Sequence, residues 1–316
     1  MKISVLVPIY GVAQYIETCA VSLFEQSFDE LEYIFIDDCS PDNSIDILQA
    51  VASRYPHRQQ QMRIIRHEKN RGLGAARATA LAAATADFVM VADSDDVLPK
   101  EAISTLWKRQ QETGADIVDG AFCLLRQSKT SDPQLPYHGS KEQMLQLMLL
   151  QNTIPHQLWG RLVRRSVYTD NNINSIEGVN MAEDYAVTPR LICCGSRAYT
   201  DEVVYYYRVN EQSTFAENLT SRHITSYLRA NETVCRFIKT HDAERKYQRA
   251  LAIGMLKTFY AAALVGKSIE ETATLCDYQP RALVRLLARP SLLPLLRWVY
   301  LLEKRLYIMK VSRISC

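Results

Sequence analysis

Apolar runs and amphipathic stretches alternate through the first third of the chain. Residues 3–7 form an apolar run that predicts a strand, and a helical pattern follows over 15–26. A second strand is predicted at 32–36, ending in Asp37-Asp38-Cys39-Ser40, and Pro41-Asp42-Asn43-Ser44 is an N-cap cluster for a helix to about residue 55. A third strand at 62–66, an Ala-rich helix at 72–84 and a fourth strand at 87–91 come next. A helix at 99–112 and a strand at 116–119 close the series. Strand–helix alternation at this spacing predicts a mostly parallel sheet flanked by helices, an α/β fold whose ligands bind beyond the carboxyl ends of the strands. Pro8-Ile9-Tyr10, Asp37-Asp38 and Asp93/Asp95 each lie just past the end of a predicted strand.

The stretch Ala92-Asp93-Ser94-Asp95-Asp96 changes the picture most. Three carboxylates this close raise one another's pKa unless something positive neutralises them. A hard divalent ion does so well, since Mg²⁺ takes oxygen ligands and typically combines one or two carboxylates with substrate phosphates. A solvated acidic turn leading into a helix opened by Pro99 is the other reading of the same residues. A dinucleotide-binding fingerprint is not supported, because the first strand runs into Pro-Ile-Tyr-Gly and the Gly72-x-Gly74 pair lacks a third glycine.

Composition adds bounds. The chain has 316 residues, 47% hydrophobic and 23% charged, ordinary for a folded globular protein. Its net charge of +2 hides an asymmetry: 13 Lys/Arg against 18 Asp/Glu in residues 1–130, a net of −5, leaves 24 against 17, or +7, for the remainder. Eight cysteines without paired metal spacing are expected to be reduced thiols of a cytosolic protein. The first residues read as a strand and are too short an apolar stretch for a signal peptide, so the Asn-x-Thr sequons at Asn218 and Asn231 are expected to be chance.

Several motifs together resemble one known family. They are Val7-Pro8-Ile9-Tyr10, the run Ile36 through Ser44, Asn70-x-Gly72 through Ala76-Arg77, and Ala92-Asp93-Ser94-Asp95-Asp96. Leu158-Trp159-Gly160-Arg161 through Arg165, Glu183-Asp184-Tyr185, and Tyr205-Tyr206-Tyr207-Arg208 with Ser213 beyond continue the series. In this order they resemble the family-2 glycosyltransferases of bacterial polysaccharide and lipopolysaccharide biosynthesis, over about residues 1–215. The chain departs from the pattern at Gly160-Arg161, where many relatives have Asn-Lys, and at Ala78, where they often have Asn.

The resemblance implies a GT-A fold with a C-terminal helical extension. The division it suggests is 1–215 as catalytic domain, with 1–120 binding the nucleotide-sugar and 121–215 the acceptor, and 216–316 as a helical region. It implies that Asp38 accepts a hydrogen bond from the ring N–H of a uracil-like base, as an acceptor-only carboxylate can, with Pro8 and Tyr10 lining base and ribose. Asp37/Asp38 as a turn-capping pair is the competing reading. Asp95 is implied as the ligand of Mn²⁺ or Mg²⁺, and Asp93 as a contact to the ribose or, through water, to the metal. The ion would stabilise the departing nucleoside diphosphate as a Lewis acid. Arg77 would add charge to the diphosphate, or be a surface arginine on an Ala-rich helix. Asp184 matches the general base, with Glu183 beside it to raise its pKa or to act as a first-turn helix acid. Trp159 would stack on an acceptor sugar, or belong to the core. One base opposite the leaving group implies single displacement with inversion, in contrast to a mechanism that needs a nucleophilic carboxylate close by.

Beyond residue 215, helices are expected at 219–241 and 243–265. The tail 281–316 carries eight Lys/Arg against the single acid Glu303, with Leu292-Leu293, Leu295-Leu296 and Trp298-Val299-Tyr300-Leu301-Leu302. Its prolines and arginines argue against a spanning helix, which needs roughly 20 apolar residues. It fits an interfacial anchor on anionic lipid at the inner face of the cell membrane, or a terminal helix pair with a solvated basic face. No nucleic-acid-binding module accompanies the charge.

The expectation is therefore a metal-dependent, inverting transferase that moves a sugar, UDP-linked, to a surface glycan or lipid-linked acceptor. A non-catalytic, membrane-associated nucleotide-sugar-binding subunit is the alternative. Nucleotidyl transfer to a sugar phosphate would call for an N-terminal glycine- and basic-rich phosphate loop, which this sequence lacks.

Overall fold

The computed structural model describes residues 2–126, 129–151, 153–209, 221–275, 282–287 and 290–313. The expected positions Ser213 and Asn218, and residues 281, 288–289 and 314–316 of the basic tail, lie outside these. The strands are β1 (Ile3–Ile9), β2 (Leu31–Asp37), β3 (Met62–Arg66), β4 (Phe88–Val91), β5 (Ile117–Arg126), β6 (Lys129–Thr130), β7 (Arg161–Arg164) and β8 (Arg197–Arg208). The helices are α1 (Ile16–Phe24), α2 (Ser44–Ala52), α3 (Pro56–Gln59), α4 (Leu73–Ala83), α5 (Ala102–Thr113), α6 (Lys141–Leu149), α7 (Arg165–Thr169) and α8 (Glu183–Cys194). They continue with α9 (Ser221–His241), α10 (Gln248–Leu264), α11 (Ile269–Leu275), α12 (Ala282–Leu287) and α13 (Leu293–Arg313).

The described residues fall into two compact units. The first comprises 1–138, 157–178 and 194–217, and holds the sheet, in order β3-β2-β1-β4-β7-β5-β6 with β8 paired to β5. β1 through β4 pair in parallel, and β7 runs antiparallel to both β4 and β5. β1 and β2 are buried along their whole length, which is why they read as unbroken apolar runs in the sequence. One contiguous core joins Val5, Val7, Phe35, Met90, Leu106, Leu162 and Tyr205, among others. The helix expected to run to residue 55 breaks at Ala52, because Pro56 forces Tyr55 out of the helical region (φ −127°, ψ 69°) and opens a new turn.

The second unit gathers 139–156, 179–193 and 218–316. A division of the chain at residue 215 therefore does not match its compact units: the helical unit recruits α6 and most of α8 from earlier in the sequence. The physical reason is packing. Leu145, Met148 and Leu149 of α6 are buried, and Gly254 of α10 lies so close to α6 that an added Cβ would stand 2.2 Å from the Leu149 carbonyl oxygen. Within the same unit α10 begins at Gln248, five residues later than the pattern suggests, since the Asp242 carboxylate accepts from the Lys246 and Tyr247 N–H groups and Arg245 is left-handed (φ 56°). Asn231 of its sequon is buried, with its side chain bonded to Gln151, so it cannot carry a glycan. Among the described residues, no helix is long and apolar enough to cross a membrane.

Candidate active site

The sheet order fixes where a ligand can enter. The chain passes from β1 to β2 to β3 on one side, then returns to lay β4 on the other side of β1. The switch point lies between β1 and β4, where open α/β sheets bind ligands. β4 pairs with β1 only as far as Leu6 opposite Val91, while β1 continues to Ile9. Pro8 sits in that overhang, so its missing N–H deprives no ladder partner on the β4 side. Tyr10 follows and is 51% exposed.

The loop carrying Tyr10 is tied to the loop after β2. Ser40 Oγ, Ser44 Oγ and Asp42 Oδ2 accept from the N–H groups of Gly11, Val12 and Ala13 at 2.9, 3.1 and 2.9 Å. Partial burial works against the charge of Asp42, but hydrogen bonds from Ser44, Ala13 and Ser40 hold its carboxyl down to about 2. Asp37 is buried, accepts from Ser40 N–H at 2.8 Å and pairs with Arg66 at 3.2 Å.

Asp38 is also buried and organises a second loop. Its Oδ1 lies 2.6 Å from His67 Nδ1 and accepts from Arg71 N–H at 2.9 Å, and its Oδ2 accepts from Gly72 N–H at 2.7 Å. His67 Nε2 meets Thr79 Oγ1 at 2.9 Å. Oδ2 keeps acceptor capacity for one further donor. Cys39, immediately after, is held left-handed (φ 58°), a conformation that costs a non-glycine residue roughly 1–3 kcal/mol and clusters at functional sites. Gly72 (φ 86°) and Gly74 have distinct reasons to be glycine: the first needs its backbone angle, and the second abuts the Ile176 backbone.

Across the switch point the acidic turn is clamped from β8. Tyr205 Oη accepts from Asp93 N–H at 3.0 Å and donates to Asp96 Oδ2 at 2.8 Å. Arg208 N–H donates to Asp96 Oδ1 at 2.7 Å, and Arg208 Nε to the Asp95 carbonyl at 2.8 Å. Asp96 is fully buried, and burial together with the charges of Asp95 and Asp93 pushes its carboxyl well above the usual range. Burial and the same aspartates push the Cys19 thiol up as well. Asp93 and Asp95 are only half-buried. Arg77, placed on the diphosphate by the sequence reading, is buried and paired with Asp93 Oδ1 at 2.8 Å, so its charge positions Asp93.

Among the described residues no group of three or more His, Cys, Asp or Glu side chains could hold a metal ion. The donor set of two half-exposed carboxylates fits Mg²⁺ or Mn²⁺ of the kind completed by substrate phosphates, and does not fit an all-protein cage.

Of the two readings of Trp159, its surroundings are those of a core residue: only 7% exposed, it stacks on Tyr205 (centroids 4.5 Å, 12°) and Tyr207 (5.2 Å, 11°) and meets Phe122 edge-on. Its apolar surface supports the tyrosine that holds the acidic turn. Arg161, the departure beside it, is likewise buried and paired with Asp119 at 3.1 Å. Sequence reasoning missed Tyr205, Asp96 and His67 as site residues. The first two stood in quoted motifs without a role, and a lone histidine after a strand gave no signal.

In the helical unit, Glu183 and Asp184 are half-buried in the first turn of α8, where the helix dipole favours anions. The residue before them, Ala182, is left-handed (φ 61°). His156 Nε2 faces the Met148 carbonyl at 3.2 Å, and its ring meets Tyr185 edge-on.

A mixed α/β sheet with an acidic turn at its switch point is the architecture of the GT-A class. The sequence model "Glycosyl transferase family 2" matches residues 4–170, more than half of the chain, and the chain belongs to that family. It is 29% identical over 221 residues to the uncharacterised glycosyltransferase YibD of Escherichia coli, covering 67% of this chain and 62% of that one. It is 27% identical over 229 residues to the poly(ribitol-phosphate) β-N-acetylglucosaminyltransferase TarS of Staphylococcus aureus, covering 71% of this chain and 38% of TarS. The chain thus matches less than two thirds of the length of these relatives. In structure it resembles an N-terminal portion of TarS, with a TM-score of 0.65 at 20% identity, covering 98% of this chain and 92% of that one. A mannosyltransferase of Pyrobaculum calidifontis in complex with GDP-Man and Mn²⁺ gives a TM-score of 0.54 at 17% identity, covering 96% and 86%. These likenesses establish the fold.

Proposed function

We propose that the chain is an inverting glycosyltransferase that moves a sugar from a UDP-linked donor to a glycan or lipid-linked acceptor in cell-surface polysaccharide assembly, working peripherally at the cytoplasmic face of a membrane. The observation that carries the reading is the acidic turn Asp93–Asp96, held at the β1/β4 switch point by Tyr205 and Arg208. Solved relatives of the same fold are in complex with UDP, UDP-GlcNAc and GDP-Man.

Each residue then has a chemical task. Tyr10 and Pro8 offer apolar surface to base and ribose. The remaining capacity of Asp38 Oδ2 takes the imide N–H of uracil. Asp93, oriented by Arg77, contacts the ribose, and Asp95 with Asp93 would hold Mn²⁺ or Mg²⁺. When bound, that ion supplies neutralisation of the diphosphate charge. Asp184 acts as the base that takes the proton of the acceptor hydroxyl, with Glu183 beside it on the acceptor side.

A thermal-shift panel of nucleotide sugars with and without Mn²⁺ tests the donor reading, because a ligand that binds only the folded state raises its apparent stability. The expected result is a metal-dependent shift with one UDP-sugar that Asp95→Asn abolishes. Unchanged UDP-sugar affinity in Asp95→Asn with metal present would remove the metal role. Asp184→Asn should keep the thermal shift and lose transfer; near-normal transfer would remove Asp184 as the base.

A further inference from the structure

One helix of the second unit is apolar on both sides. On its inner side α13 is pinned: Leu296 is fully buried, Tyr300 Oη donates to the Leu150 carbonyl at 3.1 Å, and Lys304 Nζ donates to the Gln151 carbonyl at 2.7 Å. On its outer side Trp298 is 58% exposed, and Leu295, Leu301, Leu302, Leu306 and Met309 are between 41% and 50% exposed. At about 100° per residue, positions 295, 298, 302, 306 and 309 fall within an arc of roughly 80°, opposite Leu296 and Tyr300. An unbroken apolar stripe of this kind marks an interaction surface.

We propose that this stripe docks the protein on the surface of an anionic lipid bilayer. Charge selects the occupant. Besides the inward Lys304, the helix carries Arg297, Arg305, Lys310 and Arg313 against the single acid Glu303, and Glu303 already faces Arg249 at 3.8 Å. Arg305 borders the arc, whereas Arg297 lies about 140° from its centre, nearer to Lys304; both are exposed. An outward tryptophan among leucines, bordered by Arg305 on a helix with one acid, matches a helix lying in the interface plane with its apolar side among acyl chains and its cations among anionic headgroups. A second copy is a poorer occupant. A two-fold interface sets the same patch against itself, so arginine-bearing flanks of equal sign would be brought together. The docking face deepens the reading of a peripheral enzyme but does not depend on the transfer chemistry.

The test is co-sedimentation of the full chain with vesicles of phosphatidylcholine alone and of equal parts phosphatidylcholine and phosphatidylglycerol. The parent protein should bind the anionic vesicles at least about ten-fold more tightly, and higher salt should weaken that binding. Trp298→Ser with Leu302→Ser should lose about ten-fold or more on the anionic vesicles. Arg305→Gln should lose about five-fold. Leu264→Ser, at an exposed leucine outside the stripe, should bind like the parent. The fluorescence of the parent should shift to the blue on adding anionic vesicles, and Trp298→Phe should remove that shift, since Trp107 and Trp159 are not at the surface to the same degree. Parent protein left in the supernatant with both vesicles overturns the proposal. So does unchanged binding by the Trp298/Leu302 variant, or a dimer in light scattering that this variant dissociates. UDP-sugar thermal shifts measured on the same variants keep the two readings apart: a failed docking face leaves them intact.

Discussion

Tyr205 Oη stands 3.0 Å from the backbone nitrogen of Asp93, although the two residues are 112 positions apart in the chain. The same hydroxyl donates to the buried Asp96, so one phenol fixes both ends of the acidic turn. Trp159 stacks on its ring, which explains why an aromatic cluster far along the sequence bears on the donor side.

Tyr205→Phe removes that hydroxyl while keeping the stacked ring. It leaves the Asp93 N–H and one Asp96 oxygen without their partner in a buried place, a loss of about 1–3 kcal/mol. The expected outcome is a lower urea midpoint together with weaker metal-dependent binding of UDP-sugar. A variant that loses stability yet binds donor normally would show that the clamp does not orient Asp93 and Asp95.

Gly74→Ala should be far more damaging than an ordinary helix substitution, where alanine is favoured over glycine. The new Cβ would stand 2.2 Å from the Ile176 carbonyl oxygen, a backbone atom that cannot swing aside. The loop holding Ile176 is also fixed by the Arg71–Glu177 ion pair at 2.7 Å. Calorimetry should show a loss on the order of 1–3 kcal/mol, as for other overpacked sites. Gly114→Ala is the comparison: its Cβ meets nothing within 4 Å, and its cost is only that of a left-handed φ of 66°.

The contrast between these two sites shows what the sequence could and could not reveal. β1 through β4 were legible because strands buried on both faces read as apolar runs, and the donor-side aspartates were legible because they follow strand ends. β8 was not, since Arg197–Arg208 mixes Thr, Asp and Glu with its tyrosines and lacks a clean period. β5 was seen only at its start, with its remaining residues to Arg126 hidden by Gly120 and a weakening apolar pattern. Gly72 and Gly74 suggested close backbone approach, but the partner, Ile176, is a matter of tertiary placement. The recruitment of α6 and α8 into the helical unit was likewise invisible, because amphipathic helices record that they are buried and not against what.

Lys257 should give the helical unit a signature at alkaline pH. Burial, aided by the nearby charge of Lys304, pulls its ammonium down to about 8 from an ordinary 10.5. Below pH 8 both folded and unfolded chains hold the proton, and the folded state bears the full penalty. Between about 8 and 10.5 the unfolded chain binds more protons than the folded one, so this group makes stability rise with pH. Lys257→Met should therefore be the more stable protein at neutral pH, by an amount on the order of 1–3 kcal/mol. The gap between variant and parent should close as the pH of the denaturation experiment is raised through that window. A gap that stays constant with pH would assign the gain to packing over the Tyr227 ring, where the ammonium lies 5.1 Å from the centroid.

Asp119 sits between two buried arginines, with Arg161 Nε at 3.1 Å and Arg197 Nε at 2.5 Å, and all three side chains are at least nine-tenths buried. One carboxylate thus balances two guanidinium groups, and Arg161 Nη1 and Arg197 Nη2 have no hydrogen-bond partner among the described residues. Removing the anion leaves both cations uncompensated in a site that water reaches poorly. Asp119→Ala should cost about 3–5 kcal/mol, the range for breaking a buried pair from one side. Replacing all three together with apolar residues of similar volume should cost much less, because the desolvated charges go as well. Chemical denaturation of the single and triple variants measures both. A triple variant as unstable as Asp119→Ala would mean that the arginine stems, not their charges, hold β5, β7 and β8 in register.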